Sequence, residues 1–89
     1  MSENGCSNIN VKVLFFGAAR EAAGAEEVII TTALPARVNS VKEEVFSRYE
    51  RVSPFAKSLM IAVNREYATD ETVINNNDEI AFLPPVSGG

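Results

Sequence analysis

The sequence contains no histidine and no tryptophan, and Cys6 is its only cysteine. Without histidine the chain lacks the usual general base near neutral pH, every Ser-His-Asp arrangement and the most common metal ligand. One cysteine cannot form an intrachain disulfide, and together with the missing histidines it argues against a zinc site. We therefore expect no resident metal and no self-sufficient hydrolase, and we interpret Cys6 as a spare thiol.

The chain also lacks a basic stripe and a long apolar run. Its 8 basic and 12 acidic side chains give a formal net charge of −4, which disfavours direct nucleic-acid binding. No apolar segment approaches the length of a membrane span. Residues 1–10 carry neither the basic, apolar start of a secretory signal nor the arginines of a transit peptide. We expect a cytosolic protein that contacts neither membranes nor nucleic acid.

What remains is the composition of one small globular domain, with 89 residues of which 46% are hydrophobic and 22% charged. Runs of β-branched and aromatic residues predict strands, and their order around one helix predicts an α+β fold of two layers. Strands are expected at 11–16, 27–32, 60–63, 72–74 and 79–83.

Three helical segments are predicted from local signals. Residues 18–23 form a short helix that ends at Gly24, a residue suited to a left-handed C-terminal position. The main helix is expected to begin at Ser40, because Glu43 follows three residues later and completes a capping box. Pro54 is expected to open a brief second helix, since proline is tolerated in a first turn.

Asparagine marks two turns. Asn64-Arg65 predicts a tight turn between extended segments, and residues 75–78 predict another turn before the last strand. Asparagine enters the left-handed region more easily than most residues, so both turns are compatible with positive φ.

The sequence ends in Gly88-Gly89 on an uncharged segment. Pro84-Pro85 would stop the preceding strand and hold the next residues extended. Glycine tolerates every backbone angle, so such an end could enter a narrow channel and present its carboxylate to another protein. A glycine pair can also be incidental, because chain ends are often rich in small residues.

Three stretches carry a family resemblance: residues 13–21 with Ala-Arg-Glu, residues 62–67, and residues 78–89, which end in Pro-Pro-Val-Ser-Gly-Gly. Over residues 10–89 the chain resembles the ubiquitin-like β-grasp sulfur carriers, and specifically the small subunit of molybdopterin synthase. Asn77 departs from the family, which commonly has glycine there, but asparagine also suits a positive φ.

The resemblance implies a β-grasp fold, a mixed sheet packed against one main helix. From the residues themselves we expect a disordered arm at residues 1–9, a domain at residues 10–84, and a flexible, protruding tail at residues 85–89.

The resemblance also implies a carrier that is not itself a catalyst. Gly89 would be activated as an acyl-adenylate and converted to a thiocarboxylate, whose sulfur passes to a pterin precursor. Val86, Ser87 and Gly88 would enter the active site of the large subunit. No cofactor would be bound permanently; ATP would be consumed by an E1-like activating enzyme. The family suggests a heterotetramer of two small and two large subunits.

A partner interface is expected on an apolar face of the sheet. Leu14 and Phe16 share the face of Lys12, and both faces of the last strand are apolar. One helix layer cannot easily bury both faces of a sheet, so an apolar patch should remain exposed. The expected interface residues are Leu14, Phe16, Arg20, Phe82, Leu83, Pro84 and Pro85.

Other functions stay open on the same residues. A related carrier for thiazole synthesis or tRNA thiolation would use the same terminus. A ubiquitin-like modifier would attach Gly89 to lysines, and a binding module would not use the diglycine at all.

Overall fold

The computed structural model describes residues 8–55 and 58–83. Its main sheet has five strands, and a second sheet has two. The described residues also form two α-helices and one 3₁₀ helix. In chain order the elements are β1 (Asn8–Phe15), α1 (Gly17–Ala23), β2 (Glu27–Ala33), β3 (Ala36–Arg37), α2 (Val38–Arg48), the 3₁₀ helix (Glu50–Phe55), β4 (Met60–Val63), β5 (Glu66–Ala68), β6 (Val73–Ile74) and β7 (Glu79–Leu83).

The main sheet is mixed, which confirms the predicted β-grasp arrangement. Its strand order is β2-β1-β7-β4-β5, and β3 pairs with β6 in the small sheet. The first strand is antiparallel to β2 and parallel to β7, while β4 is antiparallel to both β7 and β5. The last strand of the chain therefore lies in the centre of the sheet.

The first strand begins earlier than predicted. Asn8 and Ile9 were expected in the N-terminal arm, but Asn8 pairs with Ala33 and Ile9 pairs with Thr32. Ile9 is only 5% exposed, so its burial extends the strand beyond the more obvious run of valines. Residues 8 and 9 therefore belong to the domain.

The core lies between one face of the main sheet and α2. Alternate residues of β1 are buried, as expected for a strand with one covered face. The helix turns its own valines toward the same layer. The core residues of these two elements are Ile9, Val11, Val13 and Phe15 from β1 and Val38, Val41 and Val45 from α2.

The main helix begins at Val38 and not at Ser40. Val38 is fully buried, and its N–H donates to the carbonyl of Thr72 at 2.9 Å, so a tertiary contact holds the first turn. Ser40 caps from inside the helix, since its Oγ accepts from the N–H of Arg37 at 3.3 Å. Glu43 accepts from Asn39 Nδ2 at 3.4 Å.

Pro54 lies near the end of the 3₁₀ helix and does not open a helix at residues 55–59. The 3₁₀ helix lies earlier in the chain than predicted because Val52 is fully buried and its N–H donates to the carbonyl of Tyr49 at 2.9 Å. Residues 56 and 57 lie outside the described residues.

Gly24 ends α1 in the left-handed region, as predicted, with a φ of 74°. Its N–H donates to the backbone carbonyl of Arg20 at 2.9 Å. A Cβ added there would meet nothing within 4 Å. We expect Gly24→Ala to lower the free energy of unfolding by about 1 kcal/mol through backbone strain alone. Urea unfolding measures the loss. Gly24→Asn should lose less, and an equal loss in the two variants would contradict this explanation.

Candidate functional site

The face of the main sheet opposite α2 carries an open cavity of about 460 Å³. Its lining is mainly apolar, with two charged side chains at the margin, Arg65 and Glu79. We call the apolar part of this lining the apolar patch, and it consists of Leu14, Phe16, Ala62, Tyr67, Ala81 and Leu83.

Strand register explains why the patch is concave. Leu14 lies opposite Ala81, Ala81 opposite Ala62, and Ala62 opposite Tyr67, so the four form one row across β1, β7, β4 and β5. Side chains directly opposite in neighbouring strands are in contact range. Two alanines between larger residues therefore leave a depression in the middle of the row. Met60 lies opposite Leu83 in the next row.

Large apolar side chains are exposed around this depression. Tyr67 is 72% exposed, Phe16 44% and Met60 38%. A single exposed apolar residue is ordinary, but a group of them on one face is typical of a protein interface. Aromatic residues and methionine are also enriched at such interfaces.

The structure brings together three of the predicted interface residues. Leu14, Phe16 and Leu83 all line the cavity. The backbone joins them, because the N–H of Phe16 donates to the carbonyl of Phe82 at 3.2 Å and so places the end of β1 beside the end of β7.

Arg20 does not lie on the patch. It is exposed on α1, and its Nη2 lies 3.1 Å from Glu26 Oε2. It lines a different surface with Glu21 and Gly24. The structure thus gives Arg20 a partner within its own chain.

Phe82 is fully buried, so its assignment to the interface is wrong. It faces α2, where its ring packs edge-on against Phe15 at a centroid distance of 5.7 Å and lies 6.0 Å from Phe46. The predicted site residues Pro84, Pro85, Val86, Ser87, Gly88 and Gly89 lie outside the described residues.

We expect Phe82→Leu to lower the free energy of unfolding by about 2 kcal/mol, because it removes ring contacts with Phe15 and Phe46. In a domain of this size that is a fall in Tm of roughly 8–16 °C. Thermal unfolding measures it. A variant as stable as the parent would contradict a core role for Phe82.

Sequence reasoning missed half of the patch. Ala62, Tyr67 and Ala81 carry no signal of their own, since alanine suits any element and a lone tyrosine is common at surfaces. The available signal was alternation: Ala81 is two residues before Leu83, on the same side of β7. The pairing of β4 and β5 with β7 was needed to add the rest.

The opposite end of β7 is fixed by the predicted asparagine turn. Asn77 has a φ of 69°, as its position required, and its N–H donates to the carbonyl of Asn10 at 2.8 Å. Asp78 accepts from the N–H of Asn75 at 2.7 Å and from Asn64 Nδ2 at 3.0 Å. These bonds set the register in which β7 crosses the sheet and reaches Phe16.

Residues 8–55 and 58–83 contain no group of three acidic or cysteine side chains placed to hold a metal ion. In the same ranges, no helix is both long enough and apolar enough to cross a membrane.

Comparison with known sequences gives a family and named relatives. The profile of the ThiS family matches residues 13–89. A molybdopterin synthase sulfur carrier subunit from Mycobacterium tuberculosis is 36% identical over 84 residues, covering 91% of this chain and 99% of the relative. Its counterpart from Arabidopsis thaliana is 29% identical over 83 residues, covering 93% and 86%.

Solved structures agree with the fold. A putative molybdopterin converting factor subunit 1 from Pyrococcus furiosus has a TM-score of 0.77 at 29% identity, covering 88% of this chain and 99% of that one. Small archaeal modifier protein 1 from Methanosarcina acetivorans has a TM-score of 0.79 at 28% identity, covering 92% and 98%. A complex of subunits 1 and 2 of molybdopterin-converting factor from Helicobacter pylori contains a chain with a TM-score of 0.68 at 24% identity, covering 91% and 100%.

Proposed function

Because this chain belongs to the ThiS family, we propose that it is the sulfur-carrier subunit of a molybdopterin synthase, with Gly89 as the group that carries sulfur. The observation that carries the proposal is the set of relatives named as that subunit, whose lengths the chain almost fully spans. The mixed β-grasp sheet and the diglycine end of the sequence agree with it.

Activation comes first in the proposed cycle. A free carboxylate does not react with a sulfur nucleophile, because oxide is too poor a leaving group. An oxygen of the Gly89 carboxylate attacks the α-phosphorus of ATP and expels pyrophosphate, in the active site of an E1-like enzyme. Hydrosulfide released by the sulfur donor then attacks the acyl carbon and displaces AMP, which leaves a thiocarboxylate. The carrier supplies the carboxylate, and the partner supplies acid, base and anion-binding groups.

Transfer follows in the large subunit. The thiocarboxylate sulfur attacks a carbon of the pterin precursor and displaces an oxygen leaving group. Water then cleaves the acyl–sulfur bond, so the sulfur stays on the pterin as a thiolate and Gly89 returns to a carboxylate. Val86, Ser87 and Gly88 form the part of the tail that enters the site. Because they have no side chains, Gly88 and Gly89 can enter a channel that is too narrow for a residue with a Cβ.

The folded body supports this role by docking. Leu83 ends β7 beside Phe16 and lines the apolar patch, so the segment that follows Leu83 starts at the docking surface. A partner that binds the apolar patch would therefore have the start of the tail beside its own surface. We propose that Leu14, Phe16, Leu83, Pro84 and Pro85 contact the large subunit, in a cytosolic heterotetramer with no resident cofactor.

Intact mass spectrometry tests the proposal. The chain is incubated with ATP, its activating enzyme and a sulfur donor. We expect a mass gain equal to the replacement of one oxygen by sulfur, confined to the C-terminal peptide. Addition of the large subunit and pterin precursor should then reverse the gain. An unchanged mass, with an activating enzyme that loads another carrier, would overturn the proposal.

A second candidate is a ubiquitin-like modifier, which the similarity to the Methanosarcina acetivorans protein favours. In that case the acyl group passes to a lysine amine and forms an isopeptide. Cells that express a tagged chain would then accumulate conjugates. After cleavage at Arg65, the last basic residue of the sequence, modified lysines would carry residues 66–89 as a remnant. Sulfur loading without such remnants would support the sulfur-carrier function and contradict the modifier function.

A further inference from the structure

We propose that Arg65, at the margin of the apolar patch, is a specificity-determining residue that pairs with a carboxylate of the large subunit at the edge of the docked interface. The inference rests on the proposed function, since it names a recognition element of that same docking surface. Three features of Arg65 support this role: its backbone conformation, the position of its side chain beside the apolar patch, and its positive charge.

The backbone at Arg65 favours a different residue. Asn64 and Arg65 are the two central residues of the β4–β5 hairpin, with φ values of 51° and 73°. Two positive φ angles define the type I′ turn, for which Asn-Gly is the preferred pair. Asn64 fits that preference, but arginine carries a Cβ penalty that glycine would avoid. A residue that breaks a local rule points to a function that offsets the strain.

The turn aims Arg65 at the patch. Its side chain lines the cavity together with Tyr67, which follows two residues later on β5. Arginine and aromatic residues are both enriched at protein interfaces relative to the rest of the surface. A position with a strained backbone is therefore also one that adds a cation beside an apolar surface.

The charge of Arg65 is not used inside the described part of the molecule. Ion pairs among residues 8–55 and 58–83 involve Arg20, Arg37 and Lys42, and in those ranges no carboxylate lies within salt-bridge distance of Arg65. Its fork of donors matches a carboxylate in two parallel hydrogen bonds. A cation at this margin favours an acidic group at the facing position of the partner.

The test measures affinity and stability together, using the folded chain and its large subunit. Arg65→Gly should raise Kd about tenfold by removing a charge-assisted pair. It should also raise the Tm of the free chain by roughly 4 °C, because glycine relieves the strained φ. A residue with a purely structural role would not weaken binding while it stabilised the fold.

Three matched variants complete the design. Arg65→Gln should weaken binding without the gain in Tm, and Arg65→Lys should keep part of the affinity because it retains the charge but not the fork. Arg48→Gln removes one positive charge at the exposed end of α2 and should bind as the parent does. The affinity of the parent should also fall more steeply with salt than that of Arg65→Gly.

The outcomes separate this inference from the proposed function. Ala81→Glu places a carboxylate in the middle of the apolar patch and serves as the control for the docking surface. If Arg65→Gly and Arg65→Gln bind as tightly as the parent while Ala81→Glu prevents binding, the role of Arg65 is overturned and the docking surface stands. If Arg48→Gln weakens binding as much as Arg65→Gln, long-range charge accounts for the effect and a local pair is ruled out. If the Ala81 variant also binds normally, the docking surface itself fails.

Discussion

Deletion of Gly89 should abolish sulfur loading completely while the domain stays folded and still binds the large subunit. The proposed chemistry occurs at one acyl carbon, and removal of that residue leaves Gly88 one peptide unit too short to reach the activating site. The fold should not change, because the last core residue described is Phe82 and the last described strand ends at Leu83. Intact mass measures loading, thermal unfolding measures the fold, and titration measures binding.

A second terminal variant separates length from shape. Gly89→Ala keeps the length and the carboxylate but adds a Cβ, which restricts the backbone angles and widens the end of the tail. We expect loading to fall at least tenfold, with Tm unchanged. If the deletion variant were loaded as fast as the parent, Gly89 would not be the acceptor, and a binding module would be the better account of this chain.

The last strand shows how far the sequence alone could go. Residues 79–83 were correctly predicted as a strand, because they are short, apolar and bounded by a turn and two prolines. The inward face was not predictable. Ile80 and Phe82 alternate with Ala81 and Leu83, so both faces are apolar and the usual polar–apolar signal is absent. Only pairing with β1, which places Phe82 opposite Phe15 and Ala81 opposite Leu14, assigns the two faces.

The start of the main helix shows a second limit. Ser40 and Glu43 form a local capping signal, and local signals of that kind usually mark a first turn. Here the carbonyls of Asp70 and Thr72 accept from the N–H groups of Asn39 and Val38, from a segment about 30 residues further along the chain. When tertiary contacts satisfy the N–H groups of its first turn, a helix can begin before the residue that the local capping signal marks. The local sequence does not predict this earlier start.

The apolar patch has the same character. Its row from Leu14 to Tyr67 draws one residue from each of four strands, and three of the four come from the second half of the chain. The sequence predicted that apolar side chains would remain exposed, because one helix layer leaves a sheet face uncovered. It did not predict that alanines would lie in the middle of the row and make the surface concave.

That concavity leads to the prediction with the largest effect on docking. Ala81 is at the floor of the cavity, between Leu14 and Ala62, and is half-buried. Ala81→Glu would place a carboxylate where a partner side chain is expected to insert. A buried, unpaired charge at an interface is strongly unfavourable. We expect affinity for the large subunit to fall at least a hundredfold, or roughly 2.7 kcal/mol.

The free domain should tolerate the same change. The glutamate can extend into solvent when no partner is present, so we expect Tm to shift by no more than a few degrees. Val73→Glu is the matched control: Val73 is 57% exposed, lies opposite Arg37 on the small sheet and is not part of the patch. It adds the same charge and should leave binding unchanged.

Neighbouring residues of β7 then report on different properties. Phe82→Leu should lower stability by loosening the core, whereas Ala81→Glu should lower affinity with the core intact. Calorimetric titration and thermal unfolding on the same samples distinguish the two. Tight binding by Ala81→Glu would remove the apolar patch from the interface and leave the tail as the only proposed contact. Weak binding by Val73→Glu as well would attribute the loss to net charge and not to the place where the charge lies.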